Sequence, residues 1–310
     1  MKRIIALAVL AAAALAASAA AGVTALSGTI TADGSSTVGP YAIAAAEGFQ
    51  KKNKGARVTV GISGTGGGFE RFCRGETDVA NASRPMKNSE AILCRDAGVK
   101  WIAFTVANDG ISVVVNRQNT WVDCLTTAEL KTIWNTGSKV KSWRDIRSSF
   151  PDVDLKLFGP GTDSGTFDFF TEVINGKAKA SRSDYRATED DNIIVQGVQG
   201  ERGGLGYFGF SYFEENADKL KLVKVDNGNG CTAPSVAAVQ KGQYKPLARP
   251  LFMYAKRISF RRPVVAGYFG HIFNNEKAIA KRAGFIALTD RQLKKARYQY
   301  LQALKGNSKL

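Results

Sequence analysis

Between Asp154 and Asn175 the chain changes its hydrophobic period. Leu155 and Leu157 alternate with polar residues and Phe158 follows, the pattern of a half-buried strand. Phe167, Phe170, Val173 and Ile174 then recur at helical spacing until Gly176. Gly159, Pro160 and Gly161 mark the break, and Asp163 or Ser164 stands where a helix N-cap belongs. The same order occurs twice more. Thr29–Thr31 run into Gly34-Ser35-Ser36-Thr37 and a helix carrying Ile43, Ala46 and Phe49. Arg57–Ile62 run into Gly64-Thr65-Gly66-Gly67-Gly68 and a short predicted helix over Phe69–Arg74, closed by Gly75.

The rest of the chain keeps alternating. Strands are predicted at Asp78–Ser83, Trp101–Val106, Gly110–Val115, within Gly203–Phe210 and at Pro250–Tyr254. Helices are predicted near Ser89–Ala97, after a Thr126 or Thr127 cap, after Asp190, at Val236–Val239, and over about Pro263–Asn274 and Asp290–Leu304. Alternation of this kind gives an α/β architecture with largely parallel sheets.

A strand feeding a Gly/Ser/Thr turn that opens a helix leaves the first N–H groups of the helix unpaired, beside the turn hydroxyls and at the positive end of the helix dipole. That is an anion site in outline. Three such turns point to a shared oxyanion pocket. Ser164 has no base beside it, and the single histidine, His271, lies in an aromatic run with Tyr268, Phe269 and Phe273. A nucleophilic or metal-assisted hydrolase, such as a secreted phosphatase, is therefore the weaker reading.

Composition adds the compartment. Lys2 and Arg3 precede an Ala-rich apolar run and small residues, so residues 1–25 read as a signal peptide cut between Ala19 and Ala25. The mature protein is expected to be soluble and periplasmic. Four cysteines suit such an oxidising place. Cys73 and Cys94 flank one element, which favours a local bridge and leaves Cys124 with Cys231, although three pairings are open. The net charge of +16 falls by two, to +14, without Lys2 and Arg3; it draws anions. Nucleic acid is not expected, because the basic residues are thinly spread. The run Lys281, Arg282, Arg291, Lys294, Lys295, Arg297 and Lys305 reads as one face of a solvated helix.

In this order and spacing, Gly34–Pro40, Gly64–Phe69, Asp78–Pro85 and Asp163–Phe167 resemble the periplasmic phosphate-binding proteins of ABC-type phosphate importers. Gly203–Phe210 and Arg249-Pro250-Leu251-Phe252 look like further signatures of that family. The resemblance implies the two-lobed solute-binding fold (type II), with 26–109 plus 253–310 as one lobe and 110–252 as the other. It implies a monomer that holds inorganic phosphate without a cofactor or metal, is not an enzyme, and hands its ligand to a membrane permease. By motif, Ser36, Thr37 and Thr65 would bind from one lobe and Ser164, Gly165 and Thr166 from the other, while Ser35 and Asp33 either join them or only shape the turn. The best-known members carry Asp where this chain has Arg84, and Arg where it has Pro160. Arg84 is then the expected cationic ligand, against a surface ion pair. Asp163 is expected either to accept the phosphate proton, which sulfate lacks, or only to cap its helix. Sulfate is the alternative ligand.

Overall fold

The strands that the pattern places join into one curled sheet of eleven strands. The computed structural model describes residues 25–306 apart from 163 and 189; the signal-peptide reading and Asp163 therefore lie outside the described residues. Strands β1 (Ser27–Gly34), β2 (Gly55–Val60), β3 (Val79–Ala82) and β4 (Trp101–Asn116) come first. Next are β5 (Cys124–Thr126), β6 (Lys156–Pro160), β7 (Arg186–Thr188), β8 (Gly204–Gly209), β9 (Leu220–Asp226) and β10 (Cys231–Thr232), and β11 (Ala248–Lys256) returns last. The order across the sheet is β2-β1-β3-β11-β4-β8-β6-β7, with β9 also on β4 and carrying β5 and β10. β1 is parallel to β2 and β3, and β6 is parallel to β7 and β8, while β4 and β11 run antiparallel to each other.

The helices are α1 (Gly39–Lys52), α2 (Gly64–Cys73), α3 (Asn88–Asp96), α4 (Thr127–Trp134), α5 (Gly165–Phe170), α6 (Asp191–Gly200), α7 (Phe210–Glu215), α8 (Val236–Gln240), α9 (Pro263–Asn274), α10 (Glu276–Arg282) and α11 (Asp290–Gly306). They divide over two main cores. Tyr41 and Phe49 of α1, Tyr268 and Phe269 of α9 and Ala296 of α11 pack on Ile30, Val58, Phe104 and Met253. Leu130 and Trp134 of α4 and Phe170 of α5 pack on Val113, Leu205, Tyr207 and Val223. Phe170 stacks on Tyr207 at 3.8 Å between centroids, and Trp134 meets the same ring edge-on at 4.9 Å. Fully burying one such ring contributes roughly 1.5–3 kcal/mol. Cys73–Cys94 ties α2 to α3, and Cys124–Cys231 ties β5 to β10, which is the pairing favoured by sequence proximity.

Several predicted boundaries move, each for a physical reason. β4 is a single strand of 16 residues, not two. Asp109-Gly110 looks like a turn, but Asp109 pairs with Arg249 and Gly110 with Ala248, so the ladder continues. Pro160 ends β6 instead of breaking it. The Gly161 N–H reaches Thr188 on β7, so position 160 faces β8, whose pairing stops at Phe158, and no ladder bond is lost there. The helix after Gly165 turns into a π segment at Thr171–Asn175 before Gly176 closes it with φ of +90°. The C-terminal basic run sits on two helices, Lys281 and Arg282 on α10 and the others on α11.

Candidate functional site

The first two turns meet because glycine lets them. The helix α2 starts at Gly64, five residues before the predicted start, and its glycine-rich first turn lies across the end of β1. A β-carbon on Gly68 would stand 2.4 Å from the Gly34 Cα, and one on Gly34 would stand 2.2 Å from the Asn81 carbonyl oxygen. Gly34 also has φ of +136°, a conformation open chiefly to glycine. Buried Asp33 accepts from the Gly34 N–H at 2.8 Å and pairs with Arg71, so it shapes the turn. Ser35 also builds the turn, its N–H on the Asn81 carbonyl and its Oγ accepting from the Val38 N–H at 3.4 Å.

Neither α1 nor α2 has a side-chain cap; their N-cap positions are Val38 and a Ser63 that makes no cap bond. The start of α2 opens onto a cavity of about 230 Å³, lined by Gly64, Thr65 and Gly66, by Ser36 and Thr37 of the turn before α1, and by Arg84 among others. The Ser36-Thr37 turn before α1 and the first turn of α2 therefore face one space. The Thr65 Oγ1 accepts from the Ser83 N–H at 3.2 Å and lies 3.2 Å from the Ser83 Oγ, so the two hydroxyls share a hydrogen bond at the cavity and one of their protons remains to donate.

Arg249 lines the same cavity, and sequence reasoning did not place it there. Its Nη2 donates to Thr37 Oγ1 at 2.9 Å, its Nη1 to the Ser83 carbonyl at 3.3 Å and its Nε to Asp109 Oδ2 at 3.4 Å. The guanidinium lies over the Phe169 ring at 3.6 Å from the centroid. One side chain thus touches both core halves and both long strands. Burial pushes Asp109 up and Arg249 down from their ordinary values, each partly opposed by the other's charge. Arg84 lines the cavity and is also in the ion pair that is the alternative to a ligand role: its Nη1 and Nη2 hold Glu90 at 2.9 and 2.7 Å. Burial alone would raise the Glu90 carboxyl, yet the Arg84 hydrogen bonds outweigh it and hold the group below its usual range.

The third turn comes from across the molecule. Ser164 is the N-cap of α5, its Oγ accepting from the N–H groups of Thr166 at 3.2 Å and Phe167 at 3.5 Å. Those two amides are used, and the serine hydroxyl keeps its proton. Thr37 Oγ1 donates to the Gly165 carbonyl at 3.1 Å, so the two halves touch there. Ser164, Gly165 and Thr166 line a second cavity of about 680 Å³, which shares Ser36 and Thr37 with the first. The predicted set is therefore gathered around Ser36 and Thr37 but divided between two adjoining spaces. α5 also presents Asp168 to the smaller one, together with Glu172 and Lys87 from nearby. Asp168 stands three residues after Gly165, a helical spacing that puts it near the same turn. Arg249 had a weaker signal, its place in an Arg-Pro-Leu-Phe stretch. His271 packs on Phe49 at 5.9 Å and lines neither cavity.

The sequence model of the PBP superfamily domain matches residues 19–276. Protein SphX of Synechococcus elongatus is 50% identical over 262 residues, covering 84% of this chain and 77% of SphX. The phosphate-binding protein PstS of Staphylococcus saprophyticus is 40% identical, covering 84% of this chain and 81% of PstS. A crystal structure of a possible phosphate binding protein from Planctomyces limnophilus superposes with a TM-score of 0.86 at 46% identity, covering 90% of this chain and 99% of that one. A phosphate ABC transporter substrate-binding protein from Clostridium perfringens, solved with bound phosphate, gives 0.59 at 25% identity, covering 84% and 100%. A domain match across most of the chain, together with relatives of this identity and coverage, places the chain in the PBP superfamily, in the family of Protein SphX and the phosphate-binding protein PstS.

Proposed function

We propose that this protein binds inorganic phosphate in the periplasm and delivers it to the permease of an ABC-type importer. The observation that carries the reading is the uncapped, glycine-rich start of α2 and the Ser36-Thr37 turn before α1 lining one small cavity that two arginines also line. Ser36 and Thr65 supply hydroxyl and N–H donors from one lobe, residues 26–109 with 253–310, and Thr37, whose hydroxyl is held between Arg249 and the Gly165 carbonyl, supplies its N–H. Ser164, Gly165 and Thr166 close from the other, residues 110–252. Arg249 and Arg84 supply positive charge. Each is already matched by a carboxylate, so the site selects by hydrogen-bond geometry more than by raw charge. The proton of the ligand goes to a carboxylate: Asp163 from the sequence reading, with Asp168 and Glu172 added by their place at the cavity.

A dianion leaving water must regain its hydration energy from many fixed bonds. A micromolar site takes about 8 kcal/mol, and hydrogen bonds to a charged group contribute roughly 1.5–3 kcal/mol each. Six to ten of them, on the order of the donors named, suffice without a metal even after ordering is subtracted. Donors on both lobes are satisfied together only when the lobes meet, so ligand favours the closed state that a permease would recognise.

Calorimetric titration of ligand-free protein with phosphate and sulfate at two pH values tests this. Saturable phosphate binding at one site, unmoved by excess sulfate and without turnover of p-nitrophenyl phosphate, is expected. Absence of heat with phosphate overturns the assignment, and competition by sulfate moves it to another tetrahedral oxyanion.

A further inference from the structure

The C-terminal helix buries one stripe and presents a different chemistry on the other. Leu293, Ala296, Tyr300, Ala303 and Leu304 pack into the core that β1 and α9 share. Tyr300 donates its hydroxyl proton to the Ala266 carbonyl at 2.9 Å and meets the Phe260 ring at 6.3 Å, which fixes α11 against the short turn Ile258–Arg261. The opposite face carries Arg291, Lys294, Lys295, Tyr298 and Leu301, spaced three and four apart so that they share one side. Tyr298 is 63% exposed, the most exposed large apolar side chain among the described residues, and Leu301 is 52% exposed. The adjoining turn adds Ile258, 56% exposed, between exposed Arg257 and Arg261.

Other cations nearby are engaged. Arg282 pairs with Glu47, Arg262 with Asp78, and Arg297 donates to the Phe273 carbonyl. Arg257, Arg261, Arg291, Lys294 and Lys295 have no ion-pair partner among the described residues, and Asp290, the only acidic residue of α11, lies at its first position beside Lys277. We propose that this face, α11 with the turn at Ile258–Arg261, docks the protein on an anionic lipid surface. Charge of one sign spread over a helix face attracts acidic headgroups. An exposed tyrosine flanked by basic residues, with two aliphatic side chains, suits the headgroup boundary, where a ring can sit with one end dry and one end wet. An acidic protein partner would account for the cations but gives no role to three exposed apolar groups among them.

The test is co-sedimentation of the full chain with vesicles of phosphatidylglycerol and phosphatidylcholine, and with phosphatidylcholine alone. Binding to the anionic vesicles only, weakened as ionic strength rises and the screening length shortens, is expected. A basic residue at an anionic surface is worth about fivefold in partition, so Arg291→Gln with Lys294→Gln and Lys295→Gln should lower binding by about a hundredfold. Tyr298→Ser should weaken it further in a way salt does not change. A control with Lys139, Lys177 and Lys241 changed to Gln removes the same charge elsewhere and should bind almost as the parent does. Equal loss in the control, binding to neutral vesicles alike, or retention on immobilised polyglutamate with none on vesicles would each overturn the proposal. Phosphate titration of the same variants should be unaltered, which separates this inference from the function of the cleft.

Discussion

Arg249 shows why a single side chain can matter more than the motif that surrounds it. It is 11% exposed against 5% for Asp109, and its remaining bonds go to Thr37 and the Ser83 carbonyl. Removing one partner of a buried ion pair leaves an uncompensated charge, which costs roughly 3–5 kcal/mol. Arg249→Ala is therefore expected to lower stability by about that much, read from urea denaturation, and to weaken phosphate binding. Adding Asp109→Asn should restore most of the stability while the affinity stays low. If affinity returns with stability, Arg249 is a structural residue and not part of the site. Arg84 differs in kind: its side chain is 25% exposed and already forked onto Glu90.

Among the elements, α5 decides how the halves meet. Its six residues follow Ser164 directly, and Gly165 sits so close to the first turn that a β-carbon there would lie 2.3 Å from Thr37 Oγ1 and 2.4 Å from the Thr37 N and Cα. Those neighbours are largely backbone and cannot swing aside. Overpacking of this kind opposes closure by roughly 1–3 kcal/mol. Gly165→Ala should thus reduce phosphate affinity about tenfold or more, while thermal stability of the unliganded protein changes little, since alanine is the better helix former. A variant with native affinity would show that α5 does not close on Thr37 when ligand is bound. The glycines of α2 work the same way within one half, where Gly68 lies on Gly34.

At the scale of the molecule, β4 pairs with β11 along one part of its length and with β8 and β9 along the other, and each half keeps its own core, so the two are joined through β4 and stapled separately. Cys124 and Cys231 are 107 residues apart, and closing a loop of that size restricts the unfolded chain strongly. Replacing both by serine should lower stability by roughly 2–5 kcal/mol in thermal or denaturant unfolding; no change would mean that the β5–β9–β10 strands hold themselves. The sequence by itself determined the local units: alternating periods, the Gly/Ser/Thr turns and the places of two caps, which the structure then assigns to Ser164 and Thr126, because these follow from interactions within a few residues. Only the tertiary structure decided that Asp109-Gly110 lies inside a strand, that Thr37 faces Gly165, and that Arg249 meets a hydroxyl 212 positions away. Those contacts arise from strand pairing across the whole chain, and neither a hydrophobic period nor a cap carries information over that distance.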